Sequence, residues 1–209
     1  MESVKSLLSS HVAGFPRGTI FFADDLDRLG FPPESVRLAL SELAAEGAVL
    51  VRLARGVYCH PRMMDDPYAM KMQLPSPEDI AAALARRWRV RIVPCGASAA
   101  YRAGLLPYDG GPLTYLSDGS PQHFNLQNGR RIDFLRRRSA KVFAFLSEDM
   151  RNLSEGFRHL GKDNVREFEL AVAGNALRKV PDDVFLHDVR LSPAWIRNIF
   201  LSLRTPEPR

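Results

Sequence analysis

Three arginines and one glycine define the chemistry open to the first sixty residues. Arg37 lies in the run ESVRLALSELAAEG (34–47), and Arg52 and Arg55 frame the turn of VRLARGVYCHP (51–61). A guanidinium is a planar fork of donors that can pair bidentately with the O6 and N7 edge of guanine, or with a phosphate. Read as a helix, residues 34–47 turn Val36, Leu40 and Leu43 inward at i, i+4 and i+7. That leaves Glu34, Ser35, Arg37, Leu38 and Ser41 outside, where Arg37 can fork onto a base and the serines can reach bases or phosphates. Arg52 and Arg55 are placed to follow the adjacent backbone or minor groove. Gly56 supplies the positive φ expected at the tip. Lys5 and Arg17 are expected as phosphate contacts. Solvated arginines on helices are common, and helix-and-hairpin modules also dock proteins, so charge alone does not separate these uses.

Catalytic and metal chemistry finds little to build on. Gly96-Ala97-Ser98 follows a strand-like run, as in the opening of a nucleotidyltransferase site. Such a site needs paired carboxylates to hold two metal ions, and no Asp-x-Asp or Asp-x-Glu occurs between residues 96 and 140. Asp118 and Asp133 stand apart, so the segment reads as a helix of small residues packed on a sheet. The histidines (His11, His60, His123, His159, His187) have no metal-pair spacing, and Cys59 and Cys95 form no CxxC. No glycine-rich phosphate loop is present. The reading is of a protein that is not an enzyme, with no cofactor and no metal.

A second chemistry is concentrated further on. Arg130, Arg131, Arg136, Arg137 and Arg138 flank and close the run RRIDFL. Alternation on a strand would put about half of them on one face, as a patch for nucleic-acid phosphate or an acidic partner. The same charges could equally protect an exposed strand edge from pairing.

The elements that must position these groups follow from periodicity and breakers. SVKSLLSSHVA (3–13) is amphipathic, with Val4, Leu7, Leu8 and Val12 on one face; Gly14, Pro16 and Gly18 end it. A brief apolar entry, a short helix with early Asp24 and Asp25, and the break at Gly30, Pro32 and Pro33 lead to the helix that Gly47 stops. Residues 61–77, with four prolines and no clear period, read as a connector. EDIAAALARRW and GASAAYRAGL read as helices around the strand VRIVP. PLTYL, QHFNL, RRIDFL and KVFAFL read as strands, with Asn128-Gly129 as a hairpin turn. NVREFELAVAGNA, PDDVFLHDV and PAWIRNIFLSL read as helices, the first with a core stripe of Val165, Phe168 and Val172.

Composition bounds the class. Hydrophobic residues make 45% and charged residues 25% of 209, the values of an ordinary globular chain. No apolar run reaches the roughly 20 residues of a membrane span. The start lacks the basic-then-apolar pattern of an export signal and the two cysteines form no framework, so a cytoplasmic location is expected. The net charge of +5 is unevenly spread. Residues 1–70 hold seven basic against nine acidic groups, 71–141 twelve against five, and 142–209 ten against ten. The candidate reading module is thus slightly acidic, and the excess positive charge sits mid-chain, where it could add phosphate contacts.

The run from TIFFADDLDRLG through VRLALSELAAEG to VRLARGVYCHP resembles the N-terminal module of AbiEi-type antitoxins of type IV toxin–antitoxin systems. The stretch VPCGASAAYRAGLLPYDGGPLTYLSDGSPQHFNLQNGRRIDFLRR is similar to the domain that accompanies it in AbiEi-like proteins. The likeness covers residues 5–140. It implies a regulator that represses its own operon through a winged helix. It also implies a second domain that counteracts a nucleotidyltransferase-type toxin without a stable complex.

The expected fold is α+β: an N-terminal winged helix-turn-helix at 1–60, a linker at 61–77, and an antitoxin-like mixed domain at 78–203. The latter should hold a small, mainly antiparallel sheet flanked by helices. The expected function is a DNA-binding transcriptional regulator acting on double-stranded DNA at its own operator. The alternative is an RNA- or protein-binding module working through the 130–138 patch, with the winged helix as scaffold.

Overall fold

A computed structural model describes residues 3–64, 71–108, 111–136 and 139–204. It is a mixed α+β chain that folds as two compact units, Met1–Leu84 with Phe124–Arg130, and Ala85–His123 with Arg131–Arg209. Among the described residues no helix is long and apolar enough to cross a membrane.

In the first unit, helix α1 (Val4–Ala13) starts where the Ser3 hydroxyl accepts the Ser6 amide at 3.2 Å. It buries Leu8 and Val12, whereas Leu7, expected inside, is exposed. Strand β1 (Ile20–Phe22) leads into a 3-10 helix (Ala23–Leu29), where the Asp25 carboxylate accepts the Phe22 amide at 2.9 Å. Gly30, at φ 75°, stops it. Helix α2 (Pro33–Glu46) opens on a proline, whose missing N–H costs nothing in a first turn, and ends at Gly47 in the left-handed region. It buries Val36, Ala39, Leu40 and Leu43 against the α1 face and Leu26.

Strands β2 (Val51–Ala54) and β3 (Val57–Cys59) follow, joined only by Arg55 and Gly56. The sheet order is β1-β3-β2 and both pairings are antiparallel, so β3 is central, and all three of its residues are buried. Phe21 stacks on Tyr58 at 5.8 Å, and Phe15 meets Phe21 edge-on at 5.3 Å. The proline-bearing stretch that reads as a connector contains a two-stranded ribbon, β4 (Arg62–Met64) and β5 (Lys71–Gln73). Helix α3 (Pro77–Trp88) comes next, and the Ser76 hydroxyl caps it through the Asp79 amide.

A four-stranded sheet comprises β6 (Ile92–Pro94), β7 (Leu113–Ser117) and β9 (Arg131–Arg136) of the second unit with β8 (Gln122–Asn125), whose first two residues belong to that unit, in the order β6-β7-β9-β8. β6 and β7 run antiparallel, but β7 and β9 are parallel, with Tyr115 opposite Phe134. The small antiparallel pairing that the sequence predicts is present in β6–β7, and the β7–β9 pairing is the parallel departure from it. Here β8 lies between β7 and β9 in the chain but at the edge in space, so it serves as the crossover that parallel neighbours require. The turn at Asn128-Gly129 forms as its sequence predicts, with Gly129 at φ 81° and the Leu126 amide donating to the Arg130 carbonyl.

KVFAFL is not a strand. Ser139 caps a 3-10 helix over Ala140–Phe143, and Val142 packs with Val93, Cys95 and Leu116. A short apolar run fits either element, and here the local cap decides.

The helical layer comprises α4 (Gly96–Arg102), α5 (Glu148–Leu160), α6 (Glu167–Leu177), α7 (Asp182–Asp188) and α8 (Ala194–Arg204). α4 packs closely on α5 where Gly156 meets Ala100. A methyl group added at Gly156 would stand 2.7 Å from Leu105 Cδ1 and 3.0 Å from Ala100 Cα. Phe157 and Phe200 fill the centre at zero exposure. In α6 the buried residues are Ala173, Gly174 and Leu177; Val165 and Val172 of the expected stripe pack against the same core, while Phe168 lies outside at 61% exposure. The fully buried Asp188 accepts the amides of Leu146 at 2.9 Å and Ser147 at 2.7 Å, completing the chain just ahead of α5.

Candidate nucleic-acid interface

Because Val36, Ala39, Leu40 and Leu43 occupy one side of α2, the other side is left to solvent. Arg37, Leu38 and Ser41 are all exposed there, and Ser35 is half-buried in the first turn. Leu38 stands 64% exposed beside Arg37. Arg37 is engaged by Glu34 one turn earlier, Nη1 to Oε1 at 2.5 Å, with the two side chains 65% and 85% exposed. A pair so open to water holds its partners weakly and can exchange them for a stronger anion.

The other two carboxylates on α2 are also matched. Lys5 Nζ lies 2.5 Å from Glu46 and 3.5 Å from Glu42. The hydrogen bond that Lys5 donates to Glu46 raises the ammonium's pKa above its ordinary value. Lys5 therefore links α1 to α2 through an ion pair that is itself open to water. Glu34, Glu42 and Glu46 each meet a cation of the same segment, which leaves its net acid excess unchanged.

At the β2–β3 turn Arg55 is exposed and Gly56 adopts φ 73°. A Cβ on Gly56 would meet nothing within 4 Å, so the glycine serves the backbone angle and not the space. Arg52 is half-buried, and its Nε donates to the Ala54 carbonyl at 3.4 Å along its own strand. Arg52 sits across the ladder from Tyr58, whose phenol is pushed up by burial and partly drawn back by that guanidinium. Arg17 Nη1 donates to the Pro61 carbonyl at 3.3 Å, and Arg62 Nε returns to the Arg17 carbonyl, over the face of Gly18. Arg17 is exposed but bound to its own chain.

Arg131 is tied to Asp133 on its own strand at 2.9 and 3.1 Å, the Arg130 amide donates to Asn128 Oδ1, and Arg136 is exposed at the end of β9. Arg137 and Arg138 lie outside the described residues. Of the carboxylates weighed for catalysis, Asp118 is held by Arg91 through two contacts at 2.8 Å, which keep its pKa below the ordinary value. Ser98 is 1% exposed and accepts the Thr114 amide at 2.9 Å, so it anchors α4 to β7. Among the described residues no group of three His, Cys, Asp or Glu could hold a metal ion.

Sequence reading passes over one basic run: Arg86, Arg87, Arg89 and Arg91 alternate around Trp88 and Val90, four arginines in six positions. Composition alone was the signal for it. The i, i+3 spacing of Glu34 and Arg37 likewise announces their pair.

A family model described as a family of unknown function (DUF6088) matches residues 8–184. No curated protein matches the chain. Among solved structures, the crystal structure of RV2827C protein from Mycobacterium tuberculosis is similar at 18% sequence identity with a TM-score of 0.35; the match covers 96% of this chain and 81% of that one.

Proposed function

We propose that this chain, which belongs to the DUF6088 family, is a sequence-specific DNA-binding transcriptional regulator whose first unit is a winged helix. The observation that carries the reading is the free side of α2, where Arg37, Leu38 and Ser41 stand clear of the core. The element order supports it: helix, strand, short helix, longer helix and a returning two-stranded hairpin, with the last strand between the other two. In such a module the second helix of the pair enters the major groove and the hairpin follows the backbone. Arg37 would read guanine, Ser35 and Ser41 would bond bases or phosphates, and Arg55 would meet phosphate from the tip shaped by Gly56. Arg52 and Arg17 have further N–H groups to offer beyond the bonds they make.

The resemblance to AbiEi-type antitoxins extends the proposal. The regulator is an autoregulating cytoplasmic antitoxin, its operator is the double-stranded DNA before its own coding region, and its functional counterpart is a nucleotidyltransferase-type toxin.

The test is a salt titration of binding to that upstream duplex and to a random duplex of equal length. Specific binding with a steep salt slope is expected. Replacing Arg37 and Arg55 together with Ala should abolish the preference and flatten the slope by roughly one to two. Equal, weak binding to both duplexes would refute the regulator reading.

A further inference from the structure

The second unit has an unassigned cavity where α3 stops. Arg89 takes φ 55°, the single positive φ of a non-glycine among the described residues. The Arg89 amide donates to the Arg86 carbonyl at 3.1 Å and the Val90 amide to the Ala85 carbonyl at 3.0 Å, so the left-handed residue is the helix stop. Glycine would fit this position without strain, yet the chain places an exposed guanidinium here.

Beside that stop lies a cavity of about 260 Å³ lined by Trp88, Val90, Ser117, Gly119, Ser120 and Gln122. The Trp88 ring is braced edge-on by Phe134 at 5.3 Å and 84°, and Phe134 is stacked in turn on Tyr115, so the indole is a fixed wall. Gly119 packs tightly on another lining residue: a Cβ there would stand 2.6 Å from Val90 Cγ1. The Ser117 hydroxyl is occupied by the Gly119 amide at 3.0 Å, which shapes the loop and leaves Ser120 and Gln122 as the exposed polar lining. The neighbouring carboxylate, Asp118, is neutralised by Arg91.

The lining combines an aromatic wall, a carboxamide that both donates and accepts, and a hydroxyl, and the exposed Arg89 stands in the chain between the lining residues Trp88 and Val90. Those groups match a nucleobase with its phosphate: bases stack on indoles whatever their identity, amides pair with their edges, and arginine takes the phosphate. A volume just under the roughly 300–1,000 Å³ of larger ligand sites suits a single nucleotide. We propose that this cavity binds one nucleotide unit, its base against Trp88 with an edge at Gln122 and Ser120, and its phosphate within reach of Arg89. The proposal does not depend on the reading of the first unit. The shared chemistry has two sources, a free nucleotide or a residue of a single strand.

Trp88 and Trp195 are the two tryptophans. Trp195 stacks on Phe157 in the helical core, so Trp195→Phe in the full chain leaves Trp88 as the sole indole emitter. That protein is titrated with each of the four ribonucleoside monophosphates and with a single-stranded octanucleotide, following Trp88 fluorescence. Saturable quenching is expected. Arg89→Gly should weaken binding about tenfold, the scale of one charge-assisted hydrogen bond. Because Gly relaxes the left-handed backbone, that loss cannot be assigned to unfolding. Gln122→Ala, at an exposed position, should also weaken it. Quenching by monophosphates identifies a free-nucleotide site; quenching by the octanucleotide alone identifies a strand-binding site. The proposal is overturned if neither probe quenches saturably at millimolar concentration, if only duplex DNA does so, or if both variants bind as the parent does.

Discussion

Replacing Glu34 with Gln should tighten binding to the operator while slightly destabilising the protein. Glu34 holds Arg37 at 2.5 Å, but the two side chains are 85% and 65% exposed. Water screens such a pair to about 0.3–0.5 kcal/mol. Arg37 must release it before forking onto a base. If α2 enters the groove as proposed, the carboxylate in its first turn would also face phosphate, and at a separation of about 7 Å that repulsion is about 0.6 kcal/mol in water. Removing both effects amounts to about 1 kcal/mol, or about fivefold in Kd. In the opposite direction, Glu34 complements the positive end of α2. Losing that charge costs about 0.3–1 kcal/mol of helix stability, which lowers Tm by about 1–3 °C. The assay is fluorescence anisotropy on a labelled operator duplex across a salt series, with thermal unfolding beside it. The expected pattern is a lower Kd, a steeper salt slope and a marginally lower Tm. An unchanged or higher Kd in a folded Glu34→Gln protein would show that the start of α2 does not approach the phosphates, and the recognition argument built on Arg37 would fall with it.

Two further outcomes follow from packing and burial. Gly156→Ala gains about 1 kcal/mol of helix propensity. It also drives a methyl group against Ala100 Cα and Leu105 Cδ1, an overpacking cost of about 1–3 kcal/mol. Thermal unfolding should show a net loss of about 1 kcal/mol, or about 2–4 °C; a rise in Tm would mean that α4 and α5 do not approach so closely. Cys59 is fully buried and burial pushes its thiol up to about 11 from 9.0. At pH 8 roughly a thousandth of it is thiolate, so a disulfide reagent should label it only after denaturant is added. The unfolded thiol releases its proton from about pH 9 while the folded one keeps it, so this group withdraws stability between pH 9 and about 11. Prompt labelling in the native protein would contradict the burial.

What the sequence disclosed and what it concealed differ for physical reasons. α2 was legible because a proline start, an apolar repeat and a terminal glycine agree; the Arg55-Gly56 turn was legible because glycine takes a positive φ without strain. α5 was not read as a helix because its inward residues, Met150, Leu153 and Phe157, are spread thinly among charges. Its Ser147 cap, with Glu148 and Asp149 following, was the available signal. The parallel pairing of β7 with β9 was hidden because turn residues report where a chain reverses, not which strand it returns beside. In the candidate interface, the types and exposure of Arg37, Ser41 and Arg55 could be read directly. The clasp of Lys5 on Glu42 and Glu46 joins residues about forty positions apart, and no local period encodes it.

The buried Asp188 also bears on the order in which a growing chain can settle. The amides of Leu146 and Ser147 find their acceptor 42 and 41 residues further on. A ribosome adding about 5–20 residues per second leaves those donors unmet for about 2–8 s after they are made. The pairings of β1, β2 and β3, by contrast, all fall between Ile20 and Cys59 and are complete as soon as that stretch emerges. Synthesis from the N-terminus therefore delivers a finished small sheet long before the segment ahead of α5 can close, and a message cut short before codon 188 yields a chain in which that closure never comes.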